Sequence, residues 1–205
     1  MLLFLITLSG FAGITEFIEP KDAARVKSTR EIVSRVDFKK NEKIKFYATF
    51  QTPVSTDQAE QVITRYDNYE KFIPFVTLSR YDARTGSLDL EGGVLGWNLK
   101  STLQVSKIVN GKLSFEIISG HFKGLKGFMM TERTQDYKTL VLIQGELDDK
   151  NARWPPVWVV ENGGKIVFQI SGNKLRSLIE EEVKPREKAD EENNDVPKPR
   201  RAKTR

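Results

Sequence analysis

Apolar and polar residues alternate through the middle of the chain, which is the pattern of half-buried β-strands. In the clearest run, over 44–51, Ile44, Phe46, Ala48 and Phe50 share one face. Later runs predict six more strands, over Val76–Asp82, Ser87–Leu95, Trp97–Val109, Lys112–Gly120, Gly127–Thr134 and Thr139–Leu147. Asn110-Gly111 between two of them is a strong hairpin signal. Consecutive hairpins predict a mostly antiparallel sheet.

Between the first and second predicted strands, the stretch Pro53–Val76 carries apolar residues at helical spacing. Ser55 or Thr56 can cap the start of this helix, and Pro74 ends it. Asp67 and the asparagine after it suggest a break inside the stretch. The pattern therefore predicts two short helices after the first strand.

A long helix is predicted over Val157–Val183, near the end of the chain. Its apolar stripe is formed by Val160, Val167, Ile170, Lys174, Leu178 and Ile179. Gly172 lowers helix stability, and it indicates either a local interruption or a close approach by the sheet or a ligand.

Residues 1–14 contain no charged side chain. The run is too short to span a bilayer, but it has the length of a signal-peptide core, and Gly10-Phe11-Ala12 resembles a small-x-small cleavage site. We therefore expect export to the periplasm or a membrane-associated location. The alternatives are a buried strand or an uncleaved anchor, and the protein is cytoplasmic if the leader is not a signal.

Three further segments complete the predicted organisation. Residues 15–43 form a charged connector, in which Ile32–Phe38 is either a short helix or an edge strand. Residues 44–183 form the folded domain. Residues 184–205 have almost no apolar side chains, and we expect a disordered charged tail.

Composition narrows the function classes. The 205 residues are 39% hydrophobic and carry a formal net charge of +5, but the tail alone holds eight basic and five acidic residues. The domain itself is therefore near neutral, and no basic nucleic-acid face is expected. The tail is a solubilising segment or a contact to a membrane surface. There is no cysteine, so thiolate chemistry and disulfides are excluded. The oligomeric state stays open.

The sequence contains no nucleophile elbow, phosphate loop or metal-ligand cluster. His121 is the only histidine, and we expect a surface imidazole because no orienting partner is evident. Acidic residues in the predicted strands are Asp89, Glu91, Glu116, Glu132 and Glu146. We expect Glu116 to face solvent and Glu132 to pair with Arg133. No catalytic residue, metal or cofactor is predicted.

The order of these elements, together with several motifs, resembles the START-like (SRPBCC, helix-grip) superfamily, and in particular its polyketide cyclase and coenzyme Q-binding branch. Tyr66, Tyr69, Phe72 and Pro74 match the signature Y-x-x-Y-x-x-F-x-P. Further matches are Leu113–Ile117, Gly120, Phe122 and Gly127, the last being a glycine before a core aromatic. The resemblance covers about 44–182.

The resemblance implies an α+β fold in which a strongly curved antiparallel sheet of six or seven strands wraps around the long C-terminal helix. An apolar cavity between sheet and helix would suit an apolar ligand. The residues expected to line it are Phe46, Phe50, Tyr69, Phe72, Trp97, Phe115, Ile117, Met129, Ile166 and Ile170. For each, ordinary core packing is the alternative. The signature aromatics either wedge the short helices onto the sheet or also border the cavity entrance.

The function that follows is non-catalytic binding, transport or sequestration of an apolar small molecule, such as a lipid or isoprenoid quinone. One alternative is a cyclase/aromatase- or hydrolase-type enzyme that uses the same cavity. The other is an RNA- or protein-interaction module of the ribosome-associated type. The residues favour binding over catalysis.

Overall fold

A computed structural model describes residues 13–29, 31–37, 43–94, 96–136, 138–148, 167 and 169–181. The helices are α1 (Pro20–Ser28), α2 (Thr56–Ile63), α3 (Tyr69–Phe72) and α4 (169–181). The strands are β1 (Val33–Asp37), β2 (Lys43–Thr52), β3 (Val76–Asp82), β4 (Ser87–Val94), β5 (Trp97–Val105), β6 (Lys112–Gly120), β7 (Lys126–Arg133) and β8 (Thr139–Asp148). Within these ranges, no helix is long and apolar enough to cross a membrane.

All eight strands form one antiparallel sheet in the order β1-β2-β8-β7-β6-β5-β4-β3. The α+β fold with a curved antiparallel sheet and a C-terminal helix is thus confirmed. The predicted strands β3 and β6 have the predicted bounds, whereas β5 ends four residues early, at Val105. The strand count is eight rather than six or seven because residues 33–37 form the edge strand β1 against β2.

The two short helices lie where Pro53–Val76 predicted them. Ser55 caps α2: its hydroxyl accepts the N–H of Gln58 at 3.3 Å, and the Gln58 side chain accepts the N–H of Ser55 at 2.9 Å. This reciprocal capping box satisfies two orphan donors at the helix start. A 3-10 turn over Tyr66–Asn68 separates α2 from α3. The break predicted at Asp67 is therefore confirmed.

We call the sheet face that packs against α2 and α4 the inner face. Its buried cluster combines Phe50 and Val141 from the sheet, Val62 and Ile63 from α2, and Ile179 from α4. The part of the predicted helix Val157–Val183 that lies outside 167 and 169–181 is not among the described residues. Within α4, Gly172 is buried, and a Cβ on it would lie 2.8 Å from Cδ1 of Ile32. The group that closely approaches Gly172 is thus the Ile32 side chain of the same protein.

The opposite, outer face is also covered. Here α1 and the 3-10 turn Ile14–Glu16 pack on the sheet, and Ile14 and Val26 are fully buried. Tyr47 is 8% exposed, and its hydroxyl donates to a carboxylate oxygen of Asp22. Burial first, and this hydrogen bond second, raise the pKa of Tyr47. Both faces of the sheet are therefore covered along β2: Phe50 is buried on the inner face and Tyr47 on the outer face.

Candidate functional site on the inner face

Two glycines face each other at the centre of the inner face. Gly127 of β7 pairs with Gly145 of β8, and their partners on the far sides are Phe115 of β6 and Phe46 of β2. A Cβ on Gly127 would lie 2.5 Å from Cζ of Phe115, and one on Gly145 would lie 2.7 Å from Cε1 of Phe46. The two rings occupy the space above the sheet that side chains would fill elsewhere.

Met129 joins the two halves of the inner face. It packs against the cluster under α2 and α4, and also against a second cluster on β4–β6 that contains Leu88, Val105 and Leu113. Because a thioether side chain is flexible, it can adapt to neighbours of different shape. Met129 is only half-buried, as are Phe46 and Phe115. The centre of the inner face is thus apolar and incompletely packed within the described residues.

The structure brings together five of the predicted lining residues on this face. They are Phe46, Phe50, Phe115, Ile117 and Met129, which alternate with outer-face residues along β2, β6 and β7. Phe50 is 2% exposed and Ile117 8%. These two serve the core, whereas the three half-buried side chains surround the glycine pair.

Tyr69 has the wedge position. Its hydroxyl donates to the carbonyl oxygen of Ile63 at 2.6 Å, and its ring meets that of Tyr66 edge-on at 5.8 Å. Tyr66 in turn contacts the ring of Tyr81 on β3 at 4.7 Å. Burial raises the pKa of Tyr66 to about 12, and burial also raises that of Tyr69. Phe72 on α3 is half-buried. The signature tyrosines therefore hold the short helices on the sheet.

Two carboxylates of the same stretch protect the edge strand β3. The backbone N–H of Ser79 donates to Glu70 at 3.1 Å, and that of Tyr81 donates to Asp67 at 2.6 Å. The Ser79 hydroxyl donates to the carbonyl oxygen of Tyr66. An edge strand otherwise presents a row of unpaired N–H groups that can pair with another chain. This stretch thus closes one end of the sheet.

The other predicted lining residues do not join the group. Trp97 lies next to the turn between β4 and β5 and is 40% exposed. Ile170 is 38% exposed, and nine residues place it about half a turn from Ile179, on the far side of α4. Ile166 lies outside the described residues.

The carboxylates considered for catalysis all lie on the outer face. Asp89 accepts from the Thr102 hydroxyl at 2.7 Å, and Glu91 pairs with Lys100 at 2.8 Å. Glu132 accepts the backbone N–H of Ile14 at 2.5 Å, rather than a bond from Arg133 as predicted. The remaining two also form ion pairs, Glu116 with Lys126 and Glu146 with Lys43. None of these five carboxylates can reach a ligand on the inner face.

His121 follows the last residue of β6. The Nδ1 atom of its ring lies 3.0 Å from the backbone nitrogen of Lys100. The backbone N–H of His121 donates to the carbonyl oxygen of Lys100 at 2.8 Å. These contacts tie the turn after β6 to β5. Among the described residues, no group of three acidic or histidine side chains is arranged to hold a metal ion.

Sequence reasoning missed two features of this region. Gly145 escaped notice because a single glycine in a strand has no motif of its own, although its register opposite Gly127 makes it half of the glycine pair. The second feature is an open pocket of about 500 Å³ between α2 and the loop after β5, whose lining includes Asp57, Glu60 and Lys107. Its lining comes from segments far apart in the sequence, so no local periodicity marks it.

Comparisons with solved structures give the fold alone. A START superfamily protein from Mycobacterium smegmatis is 13% identical, with a TM-score of 0.55, over 73% of this chain and 97% of its own. A STAR-related lipid transfer protein from Xanthomonas axonopodis is 14% identical, with a TM-score of 0.58, over 74% and 95%. A Thermus thermophilus protein is 12% identical, with a TM-score of 0.54, over 67% and 94%. Among curated proteins there is no match.

A family-level comparison goes further. The family described as polyketide cyclase / dehydrase and lipid transport matches residues 52–175, which is more than half of the chain. The match spans α2 to α4, and so includes the glycine pair and the signature tyrosines. The chain therefore belongs to the polyketide cyclase / dehydrase and lipid transport family, within the START-like superfamily.

Proposed function

We propose that this protein binds an apolar ligand, a lipid or an isoprenoid quinone, between the inner face and the C-terminal helix, and that it carries or sequesters the ligand without chemistry. One observation carries the proposal. Phe46 and Phe115 lie over the Gly127–Gly145 pair and stay half-buried at the centre of an apolar face. Space lined by such groups favours apolar molecules over water.

Three polar side chains of the inner face already have partners within the protein, whereas the buried hydroxyl of Thr52 has none among the described residues. The Thr131 hydroxyl donates to Glu60 at 2.5 Å, and the Ser79 hydroxyl donates to Tyr66. The Ser101 hydroxyl donates to the carbonyl oxygen of His121 at 2.6 Å. A ligand bound here would therefore gain its affinity from apolar area, at about 25 cal/mol per Å² buried. Long hydrocarbon or isoprenoid chains fit this requirement.

The family description includes lipid transport, and the Xanthomonas relative is described as a lipid transfer protein. Both descriptions support a lipid as the ligand class. The cyclase or hydrolase alternative would need an acid or base that reaches the inner face. The five strand carboxylates lie on the outer face instead, where each already bonds another group. The carboxylate of Glu60, which reaches the inner face from α2, is held by the Thr131 hydroxyl, and together these positions favour binding.

The apolar leader, residues 1–14, suggests the compartment in which the protein would meet such a ligand. We include export to the periplasm or to a membrane-associated location in the proposal, because residues 1–14 are uncharged and end near a small-x-small site. In that compartment the available apolar molecules are membrane-derived. The basic tail would then contact anionic lipid surfaces.

A matched pair of variants tests the binding face. Phe115 and Phe128 lie on neighbouring strands and on opposite faces. The affinity of the delipidated full chain for a fluorescent long-chain acyl probe is measured by titration. We expect Phe115→Ala to weaken probe binding at least tenfold, and Phe128→Ala to leave it within twofold while lowering the melting temperature. Equal effects of the two variants, or no probe binding at all, would overturn the proposal.

A further inference from the structure

The segment Gly13–Phe17 is anchored on the outer face of the sheet. Ile14 is fully buried in the cluster that includes Val26 and Leu142. The ring of Phe17 meets that of Phe128 edge-on at 5.1 Å. Burial of an isoleucine side chain away from water stabilises the docked segment. Ile14 and Phe17 therefore hold this segment firmly on β7 and its neighbours.

Gly13 lies directly against a carboxylate. Glu132 accepts the N–H of Ile14 at 2.5 Å, and a Cβ on Gly13 would lie 3.3 Å from the same Oε2 atom. A side chain at this position would crowd the carboxylate. Any group bonded to the Gly13 Cα, including its own nitrogen, is within a few ångströms of a negative charge. A positive charge on that nitrogen would be favoured electrostatically.

The bond before Gly13 is the one that the leader pattern marks for cleavage. Gly10 and Ala12 are the small residues at the two spaced positions of the small-x-small site, and they follow an uncharged apolar run. Hydrolysis by a signal peptidase, with water as co-reactant, would leave a carboxylate on Ala12 and an amino group on Gly13. That amino group is protonated at neutral pH, since α-amino groups titrate near pH 8.

We propose that the mature chain begins at Gly13 and that its terminal ammonium forms an ion pair with Glu132. Processing would thus produce the cation that the carboxylate is placed to receive, and it would fix the new terminus to β7. Lys112 lies near the same site, but its ammonium is stacked 4.1 Å from the centre of the Phe128 ring. The inference rests on the export proposed above and is independent of the ligand.

The first measurement is the intact mass, under denaturing conditions, of the protein purified from the periplasm of a Gram-negative host that expresses the full chain. We expect the mass of residues 13–205. A mass that begins at Met1, or at any residue other than Gly13, would overturn the processing site. Because denaturation releases bound molecules, this result does not depend on the ligand proposal.

The second measurement tests the ion pair on chains released from a cleavable tag. One chain begins at Gly13, and a matched chain begins at Ala12, which moves the ammonium one residue away. Each is made with Glu132 and with Glu132→Gln. We expect the Gly13 chain to melt about 2–4 °C above the Ala12 chain, and Glu132→Gln to abolish this difference. Equal melting temperatures with Glu132 present would overturn the ion pair.

Discussion

Gly145 lies beneath the ring of Phe46, close enough that a Cβ on the glycine would meet Cε1 at 2.7 Å. The strand position must therefore lack a side chain for the ring to lie where it does. The same holds on the neighbouring strand, where Phe115 lies over Gly127. Gly127 and Gly145 therefore determine where the two rings lie, and so how much space is left on the inner face.

The substitution Gly145→Ala tests this relationship. We expect the displaced Phe46 ring to move into the ligand space, which costs about 1–3 kcal/mol of stability and weakens binding of the acyl probe. The measurements are urea denaturation and probe titration. Glu146→Gln is the control, because Glu146 is next in sequence and faces outward to Lys43. Unchanged affinity in a folded Gly145→Ala protein would contradict the assignment of this space to the ligand.

Removing the Glu70 carboxylate should expose the edge of the sheet. Glu70→Ala leaves the N–H of Ser79 without its acceptor, and we expect a loss of about 1–2 kcal/mol in the free energy of unfolding. Amide exchange at Ser79 should accelerate, and the variant should aggregate more readily. Glu70→Gln keeps an acceptor oxygen and should lose less than half as much. Equal losses would show that the hydrogen bond is unimportant.

The pKa of Tyr66 predicts alkaline instability. Burial raises this pKa to about 12, whereas an unfolded tyrosine titrates near 10. The raised folded value means that the contribution to stability is complete below about pH 10 and is lost as the pH rises toward 12. Urea denaturation at a series of pH values should show this fall, and Tyr66→Phe should make it shallower. A slope unchanged by Tyr66→Phe would contradict the assignment.

Neutralising the outer-face carboxylates should leave ligand binding intact. We expect Glu91→Gln and Glu116→Gln each to cost less than about 1 kcal/mol, because both form exposed ion pairs. Probe affinity and the set of co-purifying molecules should not change. If either variant abolished conversion of a bound molecule detected by mass spectrometry, the enzyme alternative would replace the binding proposal.

The strands from β3 to β8 could be predicted from alternation and turn residues alone. The edge strand β1 could not be distinguished from a short helix, because Ile32–Phe38 combines a few apolar residues with charges. Its helix partner α1 has a similarly charged composition, with Val26 its buried residue. Pairing with β2 and packing on the outer face, both of them tertiary effects, decide the structure of this segment.

The lining residues on strands were easier to identify than those on the last helix. Strand alternation has a period of two, so a correct strand fixes the face of Phe115 and Met129. In the helix, Leu178 and Ile179 of the predicted stripe lie in or against the buried cluster. Ile170 does not, and the contacting side contains Gly172. A glycine makes its contact by lacking a side chain, so hydrophobic periodicity does not count it. The stripe was wrong at Ile170 for that reason.

Native mass spectrometry of the gently purified full chain shows whether the inner face holds an apolar ligand. We expect a bound lipid or isoprenoid quinone at one copy per chain, which Phe115→Ala loses and Phe128→Ala retains. Protein that is empty after purification, and that takes up no lipid from vesicles, would contradict the binding proposal.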